Sequence, residues 1–175
     1  MSIHLVLGGA RSGKSTYAEK LASETGLPVT YIATAQVYDD EFGARVQHHK
    51  DWRPKHWQLI EAPHYLQYAL QANIYEGNVV IIDCLTLWLA QCICPECAPP
   101  QGIDWIVERA KFLEILPTIQ GDIILVSNEV GMGIVPLGEI NRQFQDEQGR
   151  LNQAVATIAD KVSFIAAGLP IKLKG

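Results

Sequence analysis

The stretch Gly8-Gly9-Ala10-Arg11-Ser12-Gly13-Lys14-Ser15 matches the pattern G-x-x-x-x-G-K-[ST], in which a glycine-rich loop wraps a phosphate group. The apolar run before it, Ile3–Leu7, is typical of a buried strand, and Ser15–Ala22 after it is typical of a helix. In such a loop the backbone N–H groups and the helix N-terminus bind phosphate, Lys14 reaches the β- and γ-phosphates, and the Ser15 hydroxyl holds Mg²⁺. The flanking strand and helix favour this interpretation over a chance glycine-rich turn.

The rest of the chain alternates between apolar strands and segments with helical spacing. Further strands are predicted at 27–33, 57–61, 79–82, 123–126 and 162–166, with a short terminal strand at 171–173. Helices are predicted at 41–51, 65–74, 104–119 and 151–159, and residues 95–102 form a proline-rich loop. This alternation predicts an α/β fold in a single domain, residues 1–175, with a mostly parallel, doubly wound sheet flanked by helices.

The composition is that of an ordinary globular protein, with 175 residues, 48% of them hydrophobic and 19% charged. A net charge of -5 argues against nucleic-acid partners and anionic membranes, both of which require a basic surface. The most apolar run, Val79–Leu89, is interrupted by Asp83 and is too short to cross a bilayer, so we expect no membrane span. The N-terminus lacks the pattern of a secretory signal, and we expect a cytoplasmic location.

Three of the four cysteines, Cys92, Cys94 and Cys97, lie close together, whereas Cys84 is separate. A zinc site would need a fourth ligand at suitable spacing, and none follows closely. The favoured interpretation is a surface loop whose thiols stay reduced in the cytosol, and metal binding or a redox response is left open.

The strand predicted at 79–82 ends in the carboxylate of Asp83. A phosphate-binding loop needs such a carboxylate, supplied by the neighbouring strand, to complete its Mg²⁺ site. The alternative is that Asp83 only caps the helix that follows.

Basic and imidazole side chains are concentrated around the segment Glu41–Lys55 of this acidic chain, which suits a triphosphate. The members of this group are Arg45, His48, His49, Lys50, Arg53, Lys55 and His56. In a helix over 41–51, His49 shares the side facing the protein body with Phe42 and Val46, and a shielded neutral imidazole is a competent nucleophile towards phosphorus. From spacing alone, a hydrogen-bonded core histidine is the favoured alternative.

The segment Ser127–Pro136 directly follows a predicted buried strand, where parallel sheets present ligand-binding loops. Asn128 and Glu129 bring polar groups to this position, and two glycines, Gly131 and Gly133, permit close approach of the backbone to a ligand. The alternative is a flexible turn. The charged residues that follow, Arg142, Asp146 and Arg150, fit an exposed helix face as well as a binding edge.

These motifs together resemble the bifunctional adenosylcobinamide kinase/adenosylcobinamide-phosphate guanylyltransferase family of cobalamin biosynthesis. The resemblance is carried in order by residues 8–15, 31–35, 40–50, 82–88, 127–136, 146–153 and 167–172. It implies a P-loop NTPase-type (RecA-like) fold, a homotrimer, GTP and ATP as nucleotide substrates, and Mg²⁺. It also implies two reactions: phosphorylation of adenosylcobinamide, and transfer of GMP from GTP through a guanylyl-histidine to give adenosylcobinamide-GDP.

The resemblance also assigns roles to individual residues. The histidine four positions after Arg45, His49, is the guanylylated nucleophile. Nucleotide contacts map onto Gly8, Gly9, Ala10, Arg11, Ser12, Gly13, Lys14, Ser15, Ala33, Thr34, Ala35, Lys50, Asp51, Trp52, Arg53, Glu61 and Asp83. Gln91 departs from a common asparagine, and residues 92–102 fall outside the pattern, so no role is transferred to them.

Two other functions fit part of the sequence. An ordinary P-loop small-molecule kinase would use the loop but leave His49 structural. A nucleotide-dependent regulatory switch would bind GTP without consuming cobinamide, yet the chain lacks the Thr-Lys-x-Asp motif with which regulatory GTPases recognise guanine.

Overall fold

The computed structural model describes residues 1–36 and 54–175, in which seven strands form one sheet. The strands are β1 (Ser2–Gly8), β2 (Val29–Ala33), β3 (Gln58–Glu61), β4 (Val79–Asp83), β5 (Asp122–Asn128), β6 (Lys161–Ala166) and β7 (Leu169–Lys174). The helices are α1 (Lys14–Glu24), α2 (Leu66–Asn73), α3 (Leu85–Ile93), α4 (Trp105–Ile115), which continues into a 3-10 turn at Leu116–Thr118, and α5 (Glu139–Ile158).

The sheet has the strand order β3-β2-β4-β5-β1-β6-β7. Every neighbouring pair is parallel except β6 and β7, which form an antiparallel hairpin. The mostly parallel sheet predicted from the sequence is therefore confirmed. Strand β1 lies between β5 and β6, so the loop that leaves β1 opens at the carboxyl edge of the sheet, where α/β folds bind ligands.

Apolar side chains cover both faces of the sheet, as a parallel sheet requires. Along β1, Leu5 faces a core formed with helices α2 to α5, and Val6 faces the opposite core formed with α1. The first core is centred on Trp88, which is fully buried and packs against Phe112 with ring centroids 5.1 Å apart. The two cores fix the sheet between α1 and the other helices and so position the carboxyl edge.

Helix α5 is much longer than the helix predicted at 151–159, since it begins at Glu139 and runs through Gly149. Its second half buries Leu151 and Val155, which gave the apolar periodicity. Its first half buries polar side chains instead, among them Glu147 and Gln148, so a pattern of apolar residues could not reveal it. Helix α4 ends earlier than predicted, at Ile115, and the helix predicted at 41–51 lies outside the described residues.

The expectation that the clustered cysteines are reduced surface thiols is wrong in two respects. Cys94 and Cys97 form a disulfide, with Cα atoms 5.2 Å apart in the turn after α3. Cys92 lies on the buried side of α3, where burial, reinforced by the charge of Glu108, raises the pKa of its thiol to about 12. Within residues 1–36 and 54–175, no group of three or more His, Cys, Asp or Glu side chains is arranged to hold a metal.

None of the helices in these two ranges is both long enough and apolar enough to cross a membrane.

Candidate nucleotide-binding site

The glycine-rich loop connects β1 to α1 at the carboxyl edge of the sheet. Its backbone curls so that the Ser12 N–H donates to the Gly9 carbonyl at 3.3 Å, and Arg11 and Gly13 both have positive φ, 56° and 93°. Lys14 is the first residue of α1, and its Nζ donates to the Gly9 carbonyl at 3.1 Å. The ammonium group therefore lies against the loop, within reach of a phosphate that the loop N–H groups bind.

The loop is held tightly by the β6–β7 hairpin. The N–H of Gly168, in the turn of that hairpin, donates to the Ser12 carbonyl at 2.8 Å. A Cβ added at Gly13 would lie 3.2 Å from the Gly168 Cα, and one added at Gly8 would lie 2.7 Å from the Ile165 carbonyl oxygen. The role of Gly168 could not be predicted from the sequence, because its contact with Ser12 and Gly13 joins distant parts of the chain and leaves no local pattern.

Asp83 ends β4 on the same face of the sheet as α1, since it follows Ile81 of that core by two residues. The prediction that Asp83 comes from the strand next to β1 is wrong. Strand β5 lies between β4 and β1. The register aligns Asp83 with Val126 and Val126 with Val6, which places Asp83 two strand spacings, about 10 Å, from β1. The capping alternative is also wrong, because Cys84 occupies the N-cap of α3 and no side chain caps that helix.

Asp83 is held in place by Tyr31, whose hydroxyl donates to its Oδ2 at 2.5 Å. The next residue, Cys84, is buried, and this burial raises the pKa of its thiol to about 12. The charge of Asp83 adds to that increase, whereas the charge of Lys14 opposes it, so both charged groups lie near the Cys84 thiol. The carboxylate of Asp83 and the ammonium of Lys14 thus both lie near the residue that follows β4.

The donor set fits Mg²⁺ better than a fully protein-bound metal. Ser15 lies in the first turn of α1 and contributes a partly exposed hydroxyl, and Asp83 contributes a partly exposed carboxylate. Mg²⁺ is usually held by one or two such oxygen ligands together with substrate phosphates and water.

The segment Ala33–Ala35 follows β2, and its central side chain has a structural function. Thr34 is fully buried; its Oγ1 donates to the Cys84 carbonyl at 2.7 Å and accepts from the Cys84 N–H at 2.8 Å. The side-chain amide of Gln91, the residue that departs from the common asparagine, donates to the Thr34 carbonyl. Gln91 therefore helps to position the segment after β2. At the carboxyl edge, this segment therefore presents its backbone groups and the partly exposed Ala35.

Glu61 lies exposed at the end of β3, beside Ala33 in register. It occupies the same edge of the sheet as Asp83 and the glycine-rich loop, but at the far side of β2. Two members of the basic group, Lys55 and His56, lie exposed just before β3.

The end of β5 is held by a buried polar network that sequence reasoning missed. Ser127 Oγ donates to Asn152 Oδ1 at 2.7 Å and accepts from Gln148 Nε2 at 2.9 Å. The Asn152 amide in turn donates to the Asn128 carbonyl at 3.0 Å, and the Glu129 N–H donates to the Gly8 carbonyl at 3.1 Å. The network ties β5, α5 and the start of the glycine-rich loop into one rigid unit.

The charged residues Arg142, Asp146 and Arg150 lie on the exposed surface of α5. Arg150 is exposed and pairs with Glu147, which also accepts from Trp105 Nε1 at 2.7 Å. Arg142 donates to the carbonyls of Pro136 and Leu137, and so ties down the loop before α5.

His49, the proposed nucleophile, lies outside the described residues, as do Lys50, Asp51, Trp52 and Arg53. Their roles stay predictions. Every other residue assigned to the nucleotide lies at the carboxyl edge of the sheet or in the loop and helix that leave it.

Comparison with known proteins gives a match over nearly the whole chain. Residues 4–173 match the family model described as cobinamide kinase / cobinamide phosphate guanyltransferase. The chain is 50% identical over 171 residues to the bifunctional adenosylcobalamin biosynthesis protein CobP of Pseudomonas aeruginosa, covering 98% of this chain and 96% of that protein. It is 38% identical over 179 residues to the protein CobU of Escherichia coli, which carries the same description, covering 97% and 98%.

Two solved structures share the fold at low sequence identity. The flagellar accessory protein FlaH of Methanocaldococcus jannaschii is 19% identical with a TM-score of 0.54, covering 99% of this chain and 78% of that one. The RadB recombinase is 15% identical with a TM-score of 0.51, covering 93% and 73%. These likenesses confirm the predicted P-loop NTPase-type (RecA-like) fold.

Proposed function

The chain belongs to the cobinamide kinase / cobinamide phosphate guanyltransferase family, and on that premise we propose that it catalyses both reactions of adenosylcobalamin biosynthesis. A nucleoside triphosphate first phosphorylates the free hydroxyl of adenosylcobinamide. GMP from GTP is then transferred to the new phosphate to give adenosylcobinamide-GDP. The observation that carries the proposal is the family match over residues 4–173, on a chain whose loop, Lys14 and Asp83 meet at one edge of the sheet.

In the kinase step the protein positions the triphosphate and neutralises its charge. The loop N–H groups of residues 8–15 and the N-terminus of α1 bind the β- and γ-phosphates, and the Lys14 ammonium leaves the Gly9 carbonyl to pair with them. Ser15 and Asp83 would hold Mg²⁺, which supplies charge neutralisation at the β- and γ-oxygens. The substrate hydroxyl oxygen bonds to the γ-phosphorus, the bond to the β-phosphate oxygen breaks with its electron pair, and the hydroxyl proton passes to solvent.

In the guanylyl step His49 acts as the nucleophile. Its imidazole nitrogen bonds to the α-phosphorus of GTP and pyrophosphate leaves, and a phosphate oxygen of adenosylcobinamide phosphate then displaces the histidine. Nucleotide contacts for this step are proposed for Ala33–Ala35, Lys50–Arg53, Glu61 and Asp83. Ala33–Ala35, Glu61 and Asp83 lie at the ends of the adjacent strands β2, β3 and β4, an arrangement that suits one extended nucleotide.

We further propose that the protein acts in the cytoplasm as a homotrimer, with GTP as guanylyl donor and GTP or ATP as phosphoryl donor. An exposed apolar segment between β5 and α5 supports self-association, because isolated proteins rarely expose such patches. Ile134 and Leu137 are both 98% exposed, and Met132 is 80% exposed.

The test uses GTP labelled on its α-phosphate, followed by denaturing separation of the protein. The proposal predicts an acid-labile, base-stable label on the wild type that persists in His48→Ala and is lost in His49→Ala. A label retained by His49→Ala would refute the assignment of the nucleophile. A wild type that takes no label, but transfers γ-phosphate to adenosylcobinamide, would favour the ordinary P-loop kinase.

A further inference from the structure

We propose that Asn128 is a positioning residue for phosphoryl transfer, whose carboxamide binds the γ-phosphoryl group and the attacking hydroxyl. Asn128 is the last residue of β5, the strand that lies between the loop-bearing β1 and the Asp83-bearing β4. It pairs in register with Gly8, the first residue of the loop. The inference rests on the proposed kinase activity and assigns a residue to it.

The side chain of Asn128 lies on the face of the sheet that carries α1. Side chains alternate along a strand. Val126 packs in the core with Ala18 and Ala22 of α1, whereas Ser127 bonds to Gln148 on the opposite face. Asn128 therefore shares its face with Val126, and also with Asp83 of the adjacent strand.

The backbone of Asn128 is fixed on both sides. Its N–H donates to Thr86 Oγ1 at 2.8 Å, and its carbonyl accepts from Asn152 Nδ2 at 3.0 Å. The Glu129 N–H then donates to the Gly8 carbonyl at 3.1 Å, so the residue after Asn128 is hydrogen-bonded to the first residue of the loop. A backbone held in this way fixes where the Asn128 side chain starts relative to the phosphate-binding loop.

The side-chain oxygen Oδ1 of Asn128 is buried, and no group in residues 1–36 or 54–175 donates a hydrogen bond to it. Buried polar atoms are nearly always paired in folded proteins, and exceptions often mark sites where a ligand supplies the partner. The neighbouring hydroxyls of Ser127 and Thr86 and the Asn152 amide are hydrogen-bonded, and Gln148 Oε1, on the opposite face of the sheet, is the other buried atom of this network without a partner among the described residues.

The position of the Mg²⁺ ligands indicates which part of a nucleotide approaches Asn128. Mg²⁺ in P-loop sites contacts the β- and γ-phosphate oxygens. If Asp83 at the end of β4 holds the ion, the γ-phosphate end of the triphosphate would lie on the β4 side of the loop, over the end of β5. The γ-phosphoryl oxygens accept hydrogen bonds and the incoming alcohol donates one, and a carboxamide offers one donor and one acceptor group to match them.

The alcohol oxygen bonds to the γ-phosphorus, the bond from that phosphorus to the bridging oxygen breaks, the nucleoside diphosphate leaves with the electron pair, and the hydroxyl proton passes to solvent. Asn128 accepts no proton in this step, because an amide is not a base at neutral pH. Its effect is to align nucleophile and phosphorus. The guanylyl step attacks the α-phosphorus instead and does not need this contact.

The experiment measures both half-reactions in the same preparations of wild type, Asn128→Ala and Asn128→Asp. For Asn128→Ala we expect kcat for phosphorylation of adenosylcobinamide to fall about 100-fold, the usual loss when one preorganised donor is removed. KM for the nucleotide and the rate of protein labelling from α-labelled GTP are expected to stay within about threefold, since the loop contacts are intact. Asn128→Asp is expected to be at least as slow as Asn128→Ala, because a carboxylate lacks the N–H donor and repels phosphate.

Ser127→Ala provides the matched control, since it removes hydrogen bonds of the same network on the opposite face. We expect it to lower the thermal unfolding midpoint while the ratio of the two half-reactions stays at the wild-type value. Asn128→Ala activity within threefold of wild type, equal losses in both half-reactions, or a fully active Asn128→Asp would each overturn the proposal.

The wild-type measurement separates this inference from the proposed function. If the wild type does not phosphorylate adenosylcobinamide, the proposed function fails, whatever Asn128 does. In that case acceptor-independent release of γ-phosphate from GTP is compared in the same proteins. A rate lowered at least tenfold in Asn128→Ala supports the role at the γ-phosphate, and an unchanged rate overturns it.

Discussion

Replacing Gly13 by alanine tests whether the loop needs its observed backbone. Gly13 has a φ of 93°, and a Cβ there would lie 3.2 Å from the Cα of Gly168, whose backbone cannot move aside without disturbing the β6–β7 turn. The positive φ costs an L-residue about 1–2 kcal/mol. Crowding a packed backbone contact adds roughly another 1 kcal/mol.

Together these effects predict that Gly13→Ala lowers the free energy of unfolding by about 2–3 kcal/mol. For a chain of this size that corresponds to a fall of about 4–12 °C in the thermal unfolding midpoint. The displaced Ser12–Gly168 contact should also weaken GTP binding, which fluorescence titration or calorimetry measures.

Gly9→Ala is the matched control in the same loop, because a Cβ at Gly9 meets nothing within 4 Å. We expect its unfolding midpoint to stay within about 2 °C of wild type, as for a surface substitution without strain. Equal midpoints for Gly13→Ala and Gly9→Ala would refute the strain argument.

Two further predictions concern groups that hold the carboxyl edge and the helix layer. Thr34→Val leaves the buried N–H of Cys84 without its partner, whereas the Cys84 carbonyl still accepts from the Trp88 N–H at 3.3 Å, and denaturant unfolding should show a loss of about 1–3 kcal/mol. Burial acts to raise the pKa of Glu147, but hydrogen bonds from Trp105 and Arg150 outweigh it and lower that pKa below its ordinary value of 4.5. The carboxylate therefore stabilises the fold above pH 4.5 and loses this contribution as the pH falls through the lowered pKa, so the stability difference between wild type and Glu147→Gln should shrink in acid; a difference independent of pH would contradict this assignment.

Local pattern was enough to predict the phosphate-binding loop and the parallel sheet. The loop has a fixed spelling, and β1 and β4 are apolar runs bounded by clear turn residues. The position of β5 between them was not predictable, because strand order depends on how distant segments pack. The assumption that Asp83 neighbours the loop strand failed for this reason.

Polar interiors were also hidden from the sequence. Gln148 and Glu147 are buried on the first half of α5, where a helical stripe of apolar residues would normally be sought. The hydrogen bonds of Gln148 to Ser127 and Asn152 replace apolar packing there. Thr34 was predicted to contact the nucleotide, and it does lie at the carboxyl edge of the sheet. Its hydroxyl, however, is hydrogen-bonded to the backbone of Cys84.

The proposed function requires one chain to carry out two chemically different transfers. The most direct measurement follows adenosylcobinamide by mass spectrometry during incubation with GTP, Mg²⁺ and the purified protein. We expect adenosylcobinamide phosphate to appear first and then to be converted to adenosylcobinamide-GDP. Accumulation of the phosphate with no GDP-bearing product, or consumption of GTP with unchanged adenosylcobinamide, would contradict it.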